Sequence, residues 1–545
     1  MSMVNGEEAA APPQAGRGSA GEDLGRGVVS PPAGPGVRSR RLVLALGVVA
    51  VGYGLVQLLV TSRVPLGWDE TVYVSQVARG VPAAVFSAPR ARGIVLLVAP
   101  VSLITDSVIA VRVYLSLVSA ACLAAAFWPW LKLRRSLIVP LAAALFAVQW
   151  LAIFYGNEAM PNPYVAFGAV ASVGWFLRAV AEPRAWTPRV GLIAALAVTA
   201  LMRPFDAVWI ALPLLAAGAV KRSRGPSLSA LCGLAVGWAE WIVEAYVSYG
   251  GPLARLHGAG AENETGLHFS LVAHLRALDG PLLCRPPVDC GAIPRLDVLW
   301  FAAIPVLAIA GLAVLRHQRS PHLPAAALAT TTATTIAASY LLIVGYAAPR
   351  FLLPAYALAA LPVAEGITGL CRLPPRRLRV PAVVVAAVSI AAYAGLQART
   401  LARLVPYEVR VRSADRQVAD RVERLGVTGP CLLYGHDAVQ IAYYARCSSR
   451  GIWSDWGGTQ TPTAITAALA AGRHVAVISR TKKAPAPFLT TWQRRKLTGV
   501  TGTGHWYAFL PPAASAEPPP RPRVVARGQK FRYRSSRMGS VLPFT

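Results

Sequence analysis

Long apolar stretches separated by short basic turns dominate the chain. A helix that crosses a bilayer needs about 20 predominantly apolar residues. Residues 42–60 meet that need, with Arg38, Arg40 and Arg41 at their start. Residues 108–131 follow and end at Lys132, Arg134 and Arg135. Next come 137–155 and 161–180, the latter leading to Arg178, Arg184 and Arg189. The block 190–220 is too long for one span and short for two, so it predicts a hairpin of two short helices with Arg203-Pro204-Phe205-Asp206 near the turn. Residues 227–249, 298–315, 325–346, 351–370 and 381–396 complete about eleven predicted helices.

The basic clusters fix a direction. Those at 132–135, 184–189, 221–224, 316–319 and 372–379 all fall on one face if this count is right. Positive residues collect in cytoplasmic loops. The pattern therefore predicts a multi-pass plasma-membrane protein with a cytoplasmic N-terminus and an extracytoplasmic C-terminal domain. Three segments on the outer side are large enough to carry function: 61–107, 250–297 and everything beyond about 398.

That last segment changes period. Residues 414–425 read as helix, 431–434 and His474–Ser479 as strands, Ala438–Ala445 and 463–471 as helices between them, and 505–510 as a closing strand. Alternating strands and helices predict a small α/β domain. The expected division is a cytoplasmic tail over 1–41, a membrane domain over 42–397, an outer α/β domain over 398–511 and a disordered basic tail over 512–545. About forty residues precede the first apolar run and no small-x-small site follows it, so a cleaved leader is not expected.

Composition supports this reading. Of 545 residues, 55% are hydrophobic and 14% charged, against roughly 25% charged in soluble domains. The 54 Lys and Arg against 25 Asp and Glu give a net charge of +29. In a soluble protein that excess points to nucleic acid. Here the basic residues sit between apolar segments, so topology accounts for them and no nucleic-acid partner is expected. The seven cysteines include no CxxC pair. Cys284 with Cys290, and Cys431 with Cys447, lie in predicted outer segments, where they are either disulfides or free thiols.

Four features carry candidate chemistry. Gly67-Trp68-Asp69-Glu70-Thr71-Val72-Tyr73 follows the first span directly. Acids beside hydrocarbon are costly and call for water, a partner or a function. Asp69 or Glu70 can serve as a general base towards a hydroxyl, or the run is an ordinary solvated loop. Asn157-Glu158 lies in the predicted outer turn between the third and fourth spans, suited to orienting a base or acceptor, or simply to a turn. Arg203 inside an apolar block is a functional candidate or an ion-pair partner of Asp206. Arg350, in Ala348-Pro349-Arg350-Phe351-Leu352-Leu353-Pro354, sits where an Arg can grip a lipid phosphate or snorkel to headgroups.

Taken together, in this order and on this topology, these motifs resemble the GT-C superfamily of membrane glycosyltransferases. That group includes protein O-mannosyltransferases, aminoarabinose transferases and the dolichyl-phosphate-mannose-dependent mannosyltransferases. The Asp69-Glu70-x-x-Tyr73 run is similar to the family's acidic motif after the first helix. Arg203-Pro204 is similar to an Arg-Pro motif of the mannosyl branch. Arg350-Phe351-Leu352-Leu353-Pro354 is similar to the Arg-aromatic-Leu-x-Pro run near the last helices. Tyr346-Ala347-Ala348-Pro349 stands where the mannosyl branch has His-x-Glu before that run.

The resemblance implies an inverting glycosyltransferase that moves a sugar, mannose favoured, from a polyprenyl-phosphate donor to an acceptor hydroxyl. It makes Asp69, with Glu70, the catalytic acid pair and gives Tyr73, Asn157 and Glu158 to the acceptor side. Arg350 and Arg203 would bind the donor phosphate. The acceptor would be a glycan, protein or lipid, and a divalent metal is left open as a cofactor. The alternative is a transporter or flippase of envelope precursors, which predicts internal repeats and broken helices.

Overall fold

The computed structural model describes residues 35–451, 461–502 and 504–512. The expected N-terminal tail lies outside them up to residue 34; residues 35–41 belong to the helix Pro35–Val60. The expected basic tail lies outside them from residue 513 onward. Packing divides the chain into two units. One comprises Met1–Arg63, Ser87–Leu97 and Ile109–Val405; the other comprises Val64–Phe86, Val98–Val108 and Pro406–Thr545.

The first unit is helical and built for a membrane. Among the described residues eight helices are long and apolar enough to cross one, or nine with a broken pair. That pair, Ile138–Ala147 and Trp150–Gly156, is bent by 72°. The expected eleven is thereby corrected. The remaining two helices, Trp186–Met202 and Pro204–Val220, have 17 residues each and span only about 26 Å at 1.5 Å per residue. Their break falls at Arg203, whose backbone is extended (φ −150°, ψ 97°). Pro204 disfavours helical geometry in the residue before it, which places the break there.

The helices Arg295–His317 and Leu353–Arg372 meet through glycines. A Cβ on Gly311 would lie 2.1 Å from the Pro362 carbonyl oxygen, and one on Gly366 would lie 2.3 Å from that of Leu307. Small residues let membrane helices approach this closely. Gly311→Val is expected to force the helices apart and destabilise the protein by about 1–3 kcal/mol, as overpacking does. Thermal unfolding of the detergent-solubilised protein checks this, and an unchanged Tm would contradict the close contact.

The last helix runs without interruption over Arg376–Arg424, 49 residues. A span over 381–396 and a separate helix over 414–425 were expected. What ends near residue 396 is the apolar run and not the helix: beyond it Leu401, Leu404, Val405 and Ala414 are still buried.

The second unit contains a five-stranded sheet: β1 (Cys431–Gly435), β2 (Ser448–Gly451), β3 (His474–Ser479), β4 (Gln493–Leu497) and β5 (Trp506–Leu510), ordered β2-β1-β3-β5-β4. β1 runs parallel to β2 and β3, while β5 is antiparallel to β3 and β4. One face packs on Val418, Val422 and Ile441. The other packs on Ile465, Ala468 and Leu489. The structure joins Cys431 to Cys447 in this unit and Cys284 to Cys290 in the first.

Candidate active site

Asp69 lies in the first turn of the seven-residue helix Trp68–Val74, in the second unit. Gly67 precedes the helix with extended backbone. Its amide donates to Glu70 Oε2 at 2.9 Å, and its carbonyl accepts from Thr71 Oγ1 at 2.8 Å. Acids in a first turn suit the partial positive charge of a helix start. The two neighbouring acids then diverge, because adjacent helical residues are rotated by about 100°. Asp69 is half-buried, whereas Glu70 is only 1% exposed.

Glu70 is held by Arg412, whose Nη1 lies 3.1 Å from Glu70 Oε2. The same Nη1 donates to the Pro65 carbonyl at 3.1 Å, and Arg412 Nε donates to Glu408 Oε2 at 2.8 Å. Sequence reasoning missed Arg412; its signal was the Glu408–Arg412 pair at helical i,i+4 spacing. Tyr73 is buried edge-on against Phe86, centroids 6.0 Å apart. Trp68 lies against Gly451, where an added Cβ would come within 1.9 Å of its ring. Val72, Ala84 and Val439 complete that packing.

The other candidates belong to the membrane unit. Asn157 and Glu158 follow the half-helix Trp150–Gly156 and are both buried. The Asn157 carbonyl accepts from Arg112 Nη1 at 2.8 Å, and its Nδ2 donates to Ser116 Oγ at 3.1 Å. Arg112 is fully buried within Val108–Leu133. It too escaped the sequence reading, although a single Arg within an apolar run is the signal for such a residue.

Arg203 and Arg350 converge on one aromatic ring. Their guanidinium carbons lie 5.3 and 5.4 Å from the centroid of Phe351. Phe351 stacks on Tyr340 at 4.6 Å, with the planes 20° apart. The Tyr340 hydroxyl donates to Asp206, at 2.6 Å from Oδ1 and 2.8 Å from Oδ2, and Asp206 pairs with Arg203 Nε at 3.3 Å. The ion pair and the Arg203 candidate site are therefore one arrangement: Asp206, itself anchored by Tyr340, orients Arg203. Arg350 Nη1 donates to the Leu282 carbonyl at 3.2 Å and lies over the Tyr155 ring at 5.8 Å.

A second charged cluster ties segments 87–97 and 240–262 of this unit together. Arg255 is fully buried; it donates to the carbonyls of Ala88, Arg90 and Trp241 and pairs with Glu244 at 2.8 Å. Arg92 Nε donates to the same Glu244 at 2.8 Å. His274, in the helix Leu271–Arg276, is pushed down to about 4 by burial and adds no charge to the loop at neutral pH. Among the described residues no group of three or more His, Cys, Asp or Glu side chains is placed to hold a metal ion.

No family model and no curated protein sequence matches the chain. Solved structures do. ArnT from Cupriavidus metallidurans bound to undecaprenyl phosphate superimposes with a TM-score of 0.58 at 15% identity, over 88% of this chain and 99% of that one. Its apo state gives 0.55 at 14% identity, over 86% and 98%. The Archaeoglobus fulgidus oligosaccharyltransferase, tethered to an acceptor peptide, gives 0.49 at 11% identity, over 86% and 74%. At such identities the likeness is one of fold. The chain is a polytopic helical membrane protein with a C-terminal mixed-sheet domain, folded like ArnT, a GT-C membrane glycosyltransferase.

Proposed function

We propose that this chain, having the ArnT-type fold, is a polyprenyl-phosphate-dependent inverting glycosyltransferase of the outer membrane face, with mannose the favoured sugar. In this reading the N-terminus is cytoplasmic and the α/β domain extracytoplasmic. The observation that carries it is the convergence of Arg203 and Arg350 on Phe351 within a fold whose solved relative holds undecaprenyl phosphate.

Asp69 takes the proton of the acceptor hydroxyl as that oxygen bonds to the sugar's C1 and the C1–phosphate bond breaks. The electron pair leaves on the lipid phosphate, where Arg203 and Arg350 stabilise the developing charge. A lipid-linked donor needs no nucleotide-binding motif. Asn157 and Glu158 serve the acceptor side. Tyr73 and Glu70 act by shaping the helix that bears Asp69.

The test is release of free lipid phosphate by purified protein supplied with a panel of undecaprenyl-phosphate sugars; no release from any of them counts against the reading. Undecaprenyl phosphate itself probes the arginines. Each charge-assisted hydrogen bond contributes about 1.5–3 kcal/mol, so Arg203→Ala and Arg350→Ala are each expected to raise its Kd by about tenfold or more. Arg350→Lys restores only part of that, because an ammonium lacks the planar fork. Unchanged lipid retention by native mass spectrometry in both variants would remove the phosphate assignment.

A further inference from the structure

The helix Trp68–Val74 has seven residues, and helices shorter than about 12 residues are marginal without tertiary support. Besides the packing of Trp68, Val72 and Tyr73, its first turn is held by one guanidinium. Arg412 Nη1 meets the Pro65 carbonyl and the Glu70 carboxylate, each at 3.1 Å. The same group lies against Gly67: a Cβ there would stand 3.0 Å from Nη1 and 3.1 Å from Cζ. Glu408 in turn holds Nε at 2.8 Å. The turn that presents Asp69 is thus gripped on both sides of that residue, at 65 and 67 before it and at 70 after it. Glu70 is 1% exposed and the Arg412 side chain 10% exposed, so water does not substitute for either partner.

We propose that Arg412 is a positioning residue for Asp69, fixing the backbone of residues 65–70 through Glu70, Pro65 and Gly67. The proposal rests on the reading of Asp69 as the base. A displaced catalytic group loses rate even when binding is intact, and about 1 Å of misplacement can remove about 10²-fold. The contacts of Arg412 that hold this turn are to the backbone and to Glu70, so its loss is expected to fall on kcat while the donor KM stays nearly constant.

The experiment uses the full chain in lipid nanodiscs, with Arg412→Gln, Arg412→Lys, Glu70→Gln, the Glu70→Gln/Arg412→Gln double variant and Asp69→Asn. Amide hydrogen exchange is followed at residues 67–74 and, as a reference, in β1 and β3; turnover is followed as release of undecaprenyl phosphate from undecaprenyl-phosphate mannose. Arg412→Gln and Glu70→Gln are expected to raise exchange at 67–74 while β1 and β3 keep their protection. In these variants kcat falls by about 10- to 100-fold with KM within about twofold. Arg412→Lys recovers part of both effects, and the double variant is no worse than the worse single one, since each removes the same contact.

Unchanged exchange at 67–74 in Arg412→Gln and Glu70→Gln would overturn the proposal. So would loss of protection in β1 and β3 to the same extent, which would make Arg412 a brace for the whole domain. Full turnover by Asp69→Asn would instead sink the base assignment, while the exchange measurement still decides whether the clamp exists.

Discussion

Asp69→Asn is expected to lower kcat for sugar transfer by about 10²- to 10⁴-fold, the range general-base groups contribute. The amide has the shape of the acid but accepts no proton. The contacts that build the helix start come from Gly67, Glu70 and Thr71, which this substitution leaves in place. Expression, Tm and retention of undecaprenyl phosphate should therefore match the parent protein while release of lipid phosphate slows by that factor. Turnover within threefold of the parent would remove Asp69 from the reaction. Glu70→Gln is a poor substitute for this test, because the Glu70 carboxylate is committed to the Gly67 amide and to Arg412.

The largest expected effect on stability is at Arg255. It is fully buried, satisfies three backbone carbonyls, pairs with Glu244 and stacks on the rings of Trp241 and Tyr249, each 4.5 Å away. Arg255→Leu leaves the three carbonyls without this donor and leaves Glu244 to Arg92. Removing one partner of a buried ion pair destabilises by about 3–5 kcal/mol. The expected result is a clearly lowered Tm in detergent, with earlier proteolysis of residues 87–92, whose carbonyls at Ala88 and Arg90 accept from this guanidinium. A Tm unchanged from the parent would show that water or Arg92 takes over these contacts.

The membrane helices were legible because hydrocarbon demands long apolar runs and basic residues mark their ends. The block 190–220 divides as its length suggested, into two short helices that break at Arg203 before Pro204; at 17 residues each they are shorter than the eight or nine long spans among the described residues. In the C-terminal domain the three central strands β1, β3 and β5 carry buried apolar side chains and stood out. β2, with the sequence Ser-Ser-Arg-Gly, and β4, with Gln-Arg-Arg-Lys-Leu, offer no apolar alternation and were missed. Asp69, Arg203 and Arg350 drew notice as candidates because a charge at an apolar boundary is conspicuous on its own. Arg112, Arg255 and Arg412 were not, because their meaning lies in partners distant in sequence: Asn157, Ala88 and Glu70. The ion-pair partner of Glu70 is likewise invisible in the sequence, since it is 342 positions away.

The two strands that hid from the pattern sit at the two ends of the sheet order, β2 on one side and β4 on the other. An open strand with bare amides and carbonyls invites another chain to pair with it. Gln493, Arg494, Arg495 and Lys496 are all exposed along β4, so a second copy approaching that border would bring three cations against three more. Arg450 guards β2 in the same manner. Like-charge repulsion at these rims opposes edge-to-edge pairing of copies, and neutralising Arg494, Arg495 and Lys496 is expected to increase self-association.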